Sequence, residues 1–202
     1  MLIQNLNPYL NKPIKGAIHI GAHLAEEKPW YDANSIKNVI WIDANEQYYN
    51  QIKDKVGSDL VIITGVGNEN GKFKFNISNN GQSSSLLEFD LHKIHHPDVR
   101  FVTSIEIDVK RMVDIIDEFK IDITNYNFLN LDIQGSELDA LKSFDNLLNN
   151  IDYIYTEVNS NYLYKNCALI HEIDDYLKEF YFERVKTEMT HWEWGDALYV
   201  KK

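Results

Sequence analysis

Acidic and amide side chains stand where several short apolar runs of this sequence end. Asp43 follows Val39-Ile40-Trp41-Ile42, Asp132 follows Phe128-Leu129-Asn130-Leu131, and Glu157 and Asn159 close the run that starts at Ile151. A further run, Ala17-Ile18-His19-Ile20, delivers Gly21-Ala22-His23. Glycine at such a corner lets the backbone turn tightly and come close to a ligand. A carboxylate about 20 residues further on, here Asp43, can accept both hydroxyls of a ribose. The pair of features fits a nucleoside-bearing cofactor, and serves NAD and S-adenosylmethionine equally well. Two details lean away from NAD. The chain has no G-x-G-x-x-G to cradle a pyrophosphate, and its C-terminal end does not read as the second half of a dinucleotide fold.

Histidines and aromatics are the other candidates for chemistry. His92, His95 and His96 fall in one polar segment. Adjacent His95 and His96 normally point in different directions, so a metal ion shared by them is not expected. A solvated loop is the default reading of that segment. His191 lies beside Trp192 and near Trp194, where it reads as a base or as a packed surface residue. The two tryptophans, with Tyr162 and Tyr164, fit either hairpin packing or the stacking of a ligand ring.

The elements that position these residues follow from the apolar periodicity. Runs at 17–20, 39–42, 60–63, 128–131 and 151–155 have the length and nearly continuous apolar character of buried parallel strands. Helical stripes lie between them: Ile52 and Val56; Met112, Ile115 and Phe119; Leu138, Leu141, Phe144 and Leu148; Leu169, Ile173, Leu177 and Phe180. Ser136 with Asp139 makes a capping-box pattern before the third stripe. Strand and helix in alternation predict an α/β fold, a mostly parallel sheet with helices on both faces. Lys72 to Ile77 alternates with period two after the turn Asn68-Glu69-Asn70-Gly71 and predicts an extra strand. Ser78 to Asp98 is polar and irregular, a loop long enough to be functional or disordered. Glu183 to Thr190 and Ala197 to Val200 predict a C-terminal antiparallel strand pair. No repeat or linker interrupts the chain, so residues 1–202 are expected to form one domain.

Composition narrows the classes. At 202 residues, with 44% hydrophobic and 25% charged residues, the chain can bury a core without disulfides. Its single cysteine, Cys167, excludes an internal disulfide. The net charge of −11 repels a phosphate backbone, and the basic residues are scattered, so nucleic acid is not an expected partner. The N-terminal residues lack the basic and apolar regions of a signal peptide, and no apolar stretch approaches a membrane span. A cytoplasmic location without a membrane partner is the expectation.

Six segments, in order, carry a resemblance. They are His19-Ile20-Gly21-Ala22-His23, Ile40-Trp41-Ile42-Asp43-Ala44-Asn45, Gly81-Gln82-Ser83-Ser84-Ser85-Leu86-Leu87, Asn130-Leu131-Asp132-Ile133-Gln134-Gly135-Ser136-Glu137-Leu138, Tyr155-Thr156-Glu157-Val158-Asn159 and Trp194-Gly195-Asp196-Ala197-Leu198-Tyr199. Together the chain resembles the FkbM family of S-adenosylmethionine-dependent methyltransferases from about Ile14 onward. The resemblance implies a Rossmann-like class I methyltransferase fold of seven strands, with the cofactor over the first two. It implies Gly21, Ala22 and His23 beside the methionine part, Asp43 on the ribose, and Gly65 and Val66 flanking the adenine. Ser84, in the serine run, is expected by the cofactor. Two positions depart from the usual pattern: Ala25 stands for the second glycine of the first loop, and His19 stands where many methyltransferases carry an acid.

The same resemblance implies O-methylation of a saccharide, free, nucleotide-linked or in a glycan, by a chain that sometimes forms part of a multi-domain protein. A sugar hydroxyl needs a base or a metal to lose its proton near neutral pH. Asp132 is the first candidate base, with Glu157 beside it and His96 expected near the reacting hydroxyl. Asp132, Glu157 and Asn159 also form an oxygen set that would suit Mg²⁺ or Mn²⁺. A dinucleotide-dependent oxidoreductase and a non-catalytic scaffold are the alternatives.

Overall fold

Five apolar runs pair side by side as parallel strands: β1 (Ala17–Ile20), β2 (Val39–Asp43), β3 (Leu60–Ile63), β7 (Phe128–Leu131) and β8 (Tyr153–Asn159). This is a computed structural model, and it describes residues 3–202. Of the N-terminal residues examined for a leader, Met1 and Leu2 lie outside the described residues. β9 (Phe182–Met189) and β10 (Trp194–Lys201) add the antiparallel pair, and the seven-stranded order is β3-β2-β1-β7-β8-β10-β9. The Rossmann-like methyltransferase architecture expected from the sequence is therefore present.

Both faces of this sheet are covered, which explains why its strands read as continuous apolar runs. Ile18, Ile20, Ile40, Ile42, Leu129 and Leu131 pack on one side. Ala17, Val39, Trp41, Phe128, Tyr153 and Tyr155 pack on the other. The helices that cover them are α1 (Lys28–Ala33), α2 (Tyr49–Val56), α4 (Met112–Glu118), α5 (Glu137–Lys142) and α6 (Ile170–Lys178), with the four-residue α3 (His92–His95) in the long loop. Ile52, Val56, Ile115, Leu141, Ile173 and Leu177 are all buried, as the helical stripes require. Removing the side chain of such a residue, as in Ile42→Ala, is expected to cost about 2–5 kcal/mol. Among the described residues no helix is long and apolar enough to cross a membrane.

Strand order reverses between β1 and β7, and the crevice there opens at the carboxyl ends of both. A second, three-stranded sheet stands beside it: β4 (Gly65–Val66), β6 (Phe101–Lys110) and β5 (Gly71–Ser78), in that order. Phe75, Ile107 and Val109 are its buried core. The loop from Asn79 to Arg100 runs out of this sheet between β5 and β6.

Four details differ from the expectation. β6 was not expected as a strand, although Ile105, Ile107 and Val109 alternate with Glu106, Asp108 and Lys110. Gly65 and Val66, not expected as a strand, form a short one. Phe119 lies past the end of α4 and is exposed. The Ser136 side chain makes no capping bond. Its place is taken by Glu137, whose carboxylate accepts the backbone N–H groups of Ile133 and Gly135.

Candidate active site

The loop that leaves β1 is shaped by backbone contacts before any ligand enters. Gly21 has φ +88°, and a Cβ there would stand 1.8 Å from the carbonyl oxygen of Asp132. Glycine is needed because the loops after β1 and β7 cross at this point. Close approach to a ligand, the reason expected from the sequence, is not what excludes a side chain. The N–H groups of Gly21 and Ala22 both donate to the Ile42 carbonyl, at 2.9 and 3.0 Å. Ala22 is buried beneath the loop and does not line the crevice, contrary to its expected role. Ala25, which stands for a second glycine, keeps the left-handed backbone at φ +51°. A non-glycine residue there costs about 1–2 kcal/mol.

Asp43 ties that loop to the end of β2. One carboxylate oxygen accepts the His23 N–H and the other the Asn45 N–H, each at 2.7 Å. Each oxygen retains a further lone pair. Burial pushes the Asp43 pKa up to about 6, against the pull of those two N–H groups. His23 meets Tyr48 edge to face, with ring centroids 4.8 Å apart. Gly81, at φ +77°, passes so close beneath the Tyr48 hydroxyl that a Cβ would lie 2.4 Å from it. The Ser84 hydroxyl holds this turn closed, donating to the Gly81 carbonyl at 2.7 Å and accepting the Ser78 N–H at 3.1 Å.

His19 lies at the floor. It stacks on Trp41 (4.9 Å), and its Nδ1 is 3.2 Å from the Tyr31 hydroxyl. Burial lowers its pKa to about 4, so its imidazole is neutral at pH 7. Glu27, 3.8 Å from the other ring nitrogen, has its pKa raised to about 7, first by burial and then by Asp132 and Glu26.

At the other end, Asp132 is exposed and Glu157 is 6% exposed. Gln134 joins them: its amide nitrogen donates to both carboxylates, at 2.6 Å each. The Tyr164 hydroxyl donates to the Gln134 carbonyl oxygen at 2.5 Å, which fixes which way the amide points. Gln134 has φ +58°, and its backbone carbonyl accepts the buried Ser85 hydroxyl at 2.7 Å. Burial, with Asp132 and Glu137 nearby, drives the Glu157 pKa well above the usual carboxylate range.

The expected Mg²⁺ or Mn²⁺ site does not form from Asp132, Glu157 and Asn159. The Gln134 amide, a donor, lies between the two carboxylates, and Asn159 is wholly buried without lining the crevice. Among the described residues no three His, Cys, Asp or Glu side chains are grouped to hold an ion. The histidines divide as expected. His95 turns away, 3.3 Å from the Trp192 carbonyl and 3.7 Å from Glu193, while His92 and His96 line the crevice.

These groups enclose one cavity of about 500 Å³, within the usual range for small-molecule sites. Gly21, His23, Asp43, Gly65, Val66, Ser84, His96, Asp132 and Glu157 all line it. Gln134 is the central residue that sequence reasoning did not single out, and Tyr164, read there as a candidate stacking ring, acts instead through its hydroxyl on Gln134. The sequence matches the family model described as Methyltransferase FkbM domain over residues 19–184. This chain belongs to the FkbM methyltransferase-domain family. Solved structures agree on the fold of this FkbM methyltransferase domain. Magnesium protoporphyrin IX methyltransferase from Synechocystis PCC 6803, with bound SAM, is similar at TM-score 0.52 and 11% identity, over 98% of this chain and 74% of that one. TrmK from M. capricolum, in complex with S-adenosyl-homocysteine, gives 0.50 and 10%, over 100% and 68%. A protein in the NADB-Rossmann superfamily from Streptococcus agalactiae gives 0.55 and 9%, over 100% and 68%. No curated protein matches the sequence.

Proposed function

We propose that this FkbM methyltransferase domain transfers a methyl group from S-adenosylmethionine to a hydroxyl of a saccharide. The observation that carries the reading is a continuous cavity with a ribose-type carboxylate, Asp43, at one end and an exposed carboxylate, Asp132, at the other. S-adenosylmethionine supplies, when bound, a methyl group activated by its sulfonium. Its ribose hydroxyls would be held by the free lone pairs of Asp43. Gly65 and Val66 would flank the adenine, and Gly21 and His23 the methionine end.

The residues at the acceptor end divide the proton chemistry between them. Burial among carboxylates pushes Glu157 towards its protonated form. Asp132, exposed and facing the cavity, takes the proton from the acceptor hydroxyl. Gln134 holds Asp132 in place and, through Tyr164, keeps a donor on it. His96 is held towards its neutral form by burial and by His95 and His191, and hydrogen-bonds the sugar. Trp194, in the wall, offers an aromatic face.

The test is calorimetric titration with S-adenosylhomocysteine, followed by transfer of labelled methyl to a panel of sugars. Saturable binding with label on a sugar oxygen supports the reading. Label on nitrogen or carbon instead would overturn the hydroxyl assignment. No binding of the cofactor product would turn attention to a non-catalytic scaffold.

A further inference from the structure

The cavity wall has an uneven charge balance. Glu26, Glu27, Asp43, Asp132 and Glu157 line it, and among the described residues no lysine or arginine does. Many cations of the chain pair elsewhere, as in Lys12–Asp152, Lys74–Glu88, Arg111–Asp145 and Arg184–Asp174, and Lys55, which acts on Glu27, does not line the cavity. An anionic ligand can also be held without side-chain cations, by clustered backbone N–H groups at a loop or helix start. Here those groups are already occupied. Asp43 takes the N–H groups of His23 and Asn45, and Glu26 takes that of Leu24. Glu137 takes those of Ile133 and Gly135 at the start of α5. At the loops after β1 and β2 the chain's own carboxylates thus sit where a phosphate would.

The histidines do not supply the missing charge. Burial, with His96 and His95 as lesser causes, lowers the His92 pKa to about 4, so its imidazole is neutral at pH 7. Its Nδ1 is buried with no partner, so the ring's proton belongs on Nε2. A neutral donor of this kind suits a hydroxyl or ether oxygen.

We infer that the acceptor is an uncharged saccharide, and that sugars linked to a nucleoside diphosphate, or bearing a carboxylate or sulfate at the groups this cavity receives, are excluded. The inference rests on the reading given under Proposed function and narrows it. The methyl donor itself meets the wall favourably. Its carboxylate is accompanied by an ammonium on the same carbon and by the sulfonium, a net single positive charge. A diphosphate brings at least two negative charges and no counter-charge into a lining that holds carboxylates and no lysine or arginine.

The experiment uses the intact protein and first measures S-adenosylhomocysteine binding. UDP and GDP, the handles common to many nucleotide sugars, are then titrated into the loaded protein. In parallel, labelled S-adenosylmethionine is offered with a mixture of UDP-glucose, GDP-mannose and uncharged oligosaccharides, and the products are separated by anion exchange. The expected result is no saturable binding of either nucleotide and label confined to the unretained fraction. Competitive binding of UDP or GDP in the cavity, or label in the retained fraction, overturns the inference and leaves the methyltransferase reading standing. Failure of S-adenosylhomocysteine to bind overturns both.

Discussion

Replacing Asp43 by Asn separates what this residue does for a ligand from what it does to the fold. Its folded pKa of about 6 lies above the ordinary aspartate value of 3.8. The folded state therefore prefers the protonated form, and the ionised carboxylate burdens the fold. The burden is absent below pH 3.8, grows between pH 3.8 and 6, and amounts to about 3 kcal/mol above that window. Asn removes it. Asn also keeps a single acceptor oxygen, so its amide N–H₂ must face the N–H of either His23 or Asn45, at a cost of about 1–3 kcal/mol. The two effects nearly cancel, and the variant should stay within about 2 kcal/mol of the wild type at pH 7.5. Affinity has no such compensation. Each ribose hydroxyl that loses a charged acceptor costs about 1.5–3 kcal/mol, about 10- to 100-fold in Kd. Calorimetry with S-adenosylhomocysteine, paired with urea unfolding at pH 4.5 and 7.5, reads both quantities. Affinity unchanged in a folded variant would refute the ribose assignment. Stability lowered by much more than 2 kcal/mol would refute the claim that ionised Asp43 burdens the fold.

Asp132→Asn should cut turnover about 10²- to 10⁴-fold and change S-adenosylhomocysteine affinity little, since the side chain is exposed in the cavity; equal loss in both would make it a binding residue. Treatment with EDTA should leave turnover unchanged, because the Gln134 amide stands between the two carboxylates; activity lost to chelator and restored by Mn²⁺ would refute that. Glu137→Ala should destabilise by about 2–3 kcal/mol in urea titration, because a buried and a partly buried backbone N–H lose their acceptor. His19, with a folded pKa of about 4 against 6.5, gives stability that is complete above pH 6.5 and falls by about 3 kcal/mol as the pH drops to 4. His19→Phe should flatten that part of the stability curve, and an unchanged curve would place the proton elsewhere.

Much of the fold was legible because its strands are buried on both faces. Runs such as Val39-Ile40-Trp41-Ile42 admit few other readings, and the strand-end carboxylates follow from them. β6 escaped because its first half, Phe101-Val102-Thr103-Ser104, shows no alternation; half of a strand that pairs with β5 along one edge carries little pattern. Asp43, Asp132 and Glu157 were readable from position alone. Gln134 was not, since its importance comes from a left-handed backbone and from Tyr164, 30 residues away in sequence. Glu137 was hidden by Ser136, whose residue type suggests a helix cap that the neighbouring carboxylate makes instead. Asn159 shows the opposite error, as a strand-end position does not guarantee a side chain in the cleft.

The long loop has a further meaning at its base. Asn79 and Arg100 grip one another there, the N–H of Asn79 on the Arg100 carbonyl and the N–H of Arg100 on the Asn79 side chain, both at 3.0 Å. The excursion between them thus begins and ends at one point on the rim, clasped like the neck of a purse. Between those ends the segment is also tied down, by the Ser85 hydroxyl on the Gln134 carbonyl and by the Asp90 and His92 N–H groups on the Leu163 carbonyl, so its stretch beyond His92 is the part open to exchange at little entropic cost. His96 and Val99 belong to that stretch, while Asp43 and Asp132 do not. Grafting a different sequence from Lys93 to Val99, which leaves Gly81, Ser84 and Ser85 in place, should therefore retune which acceptor is taken without disturbing the donor end.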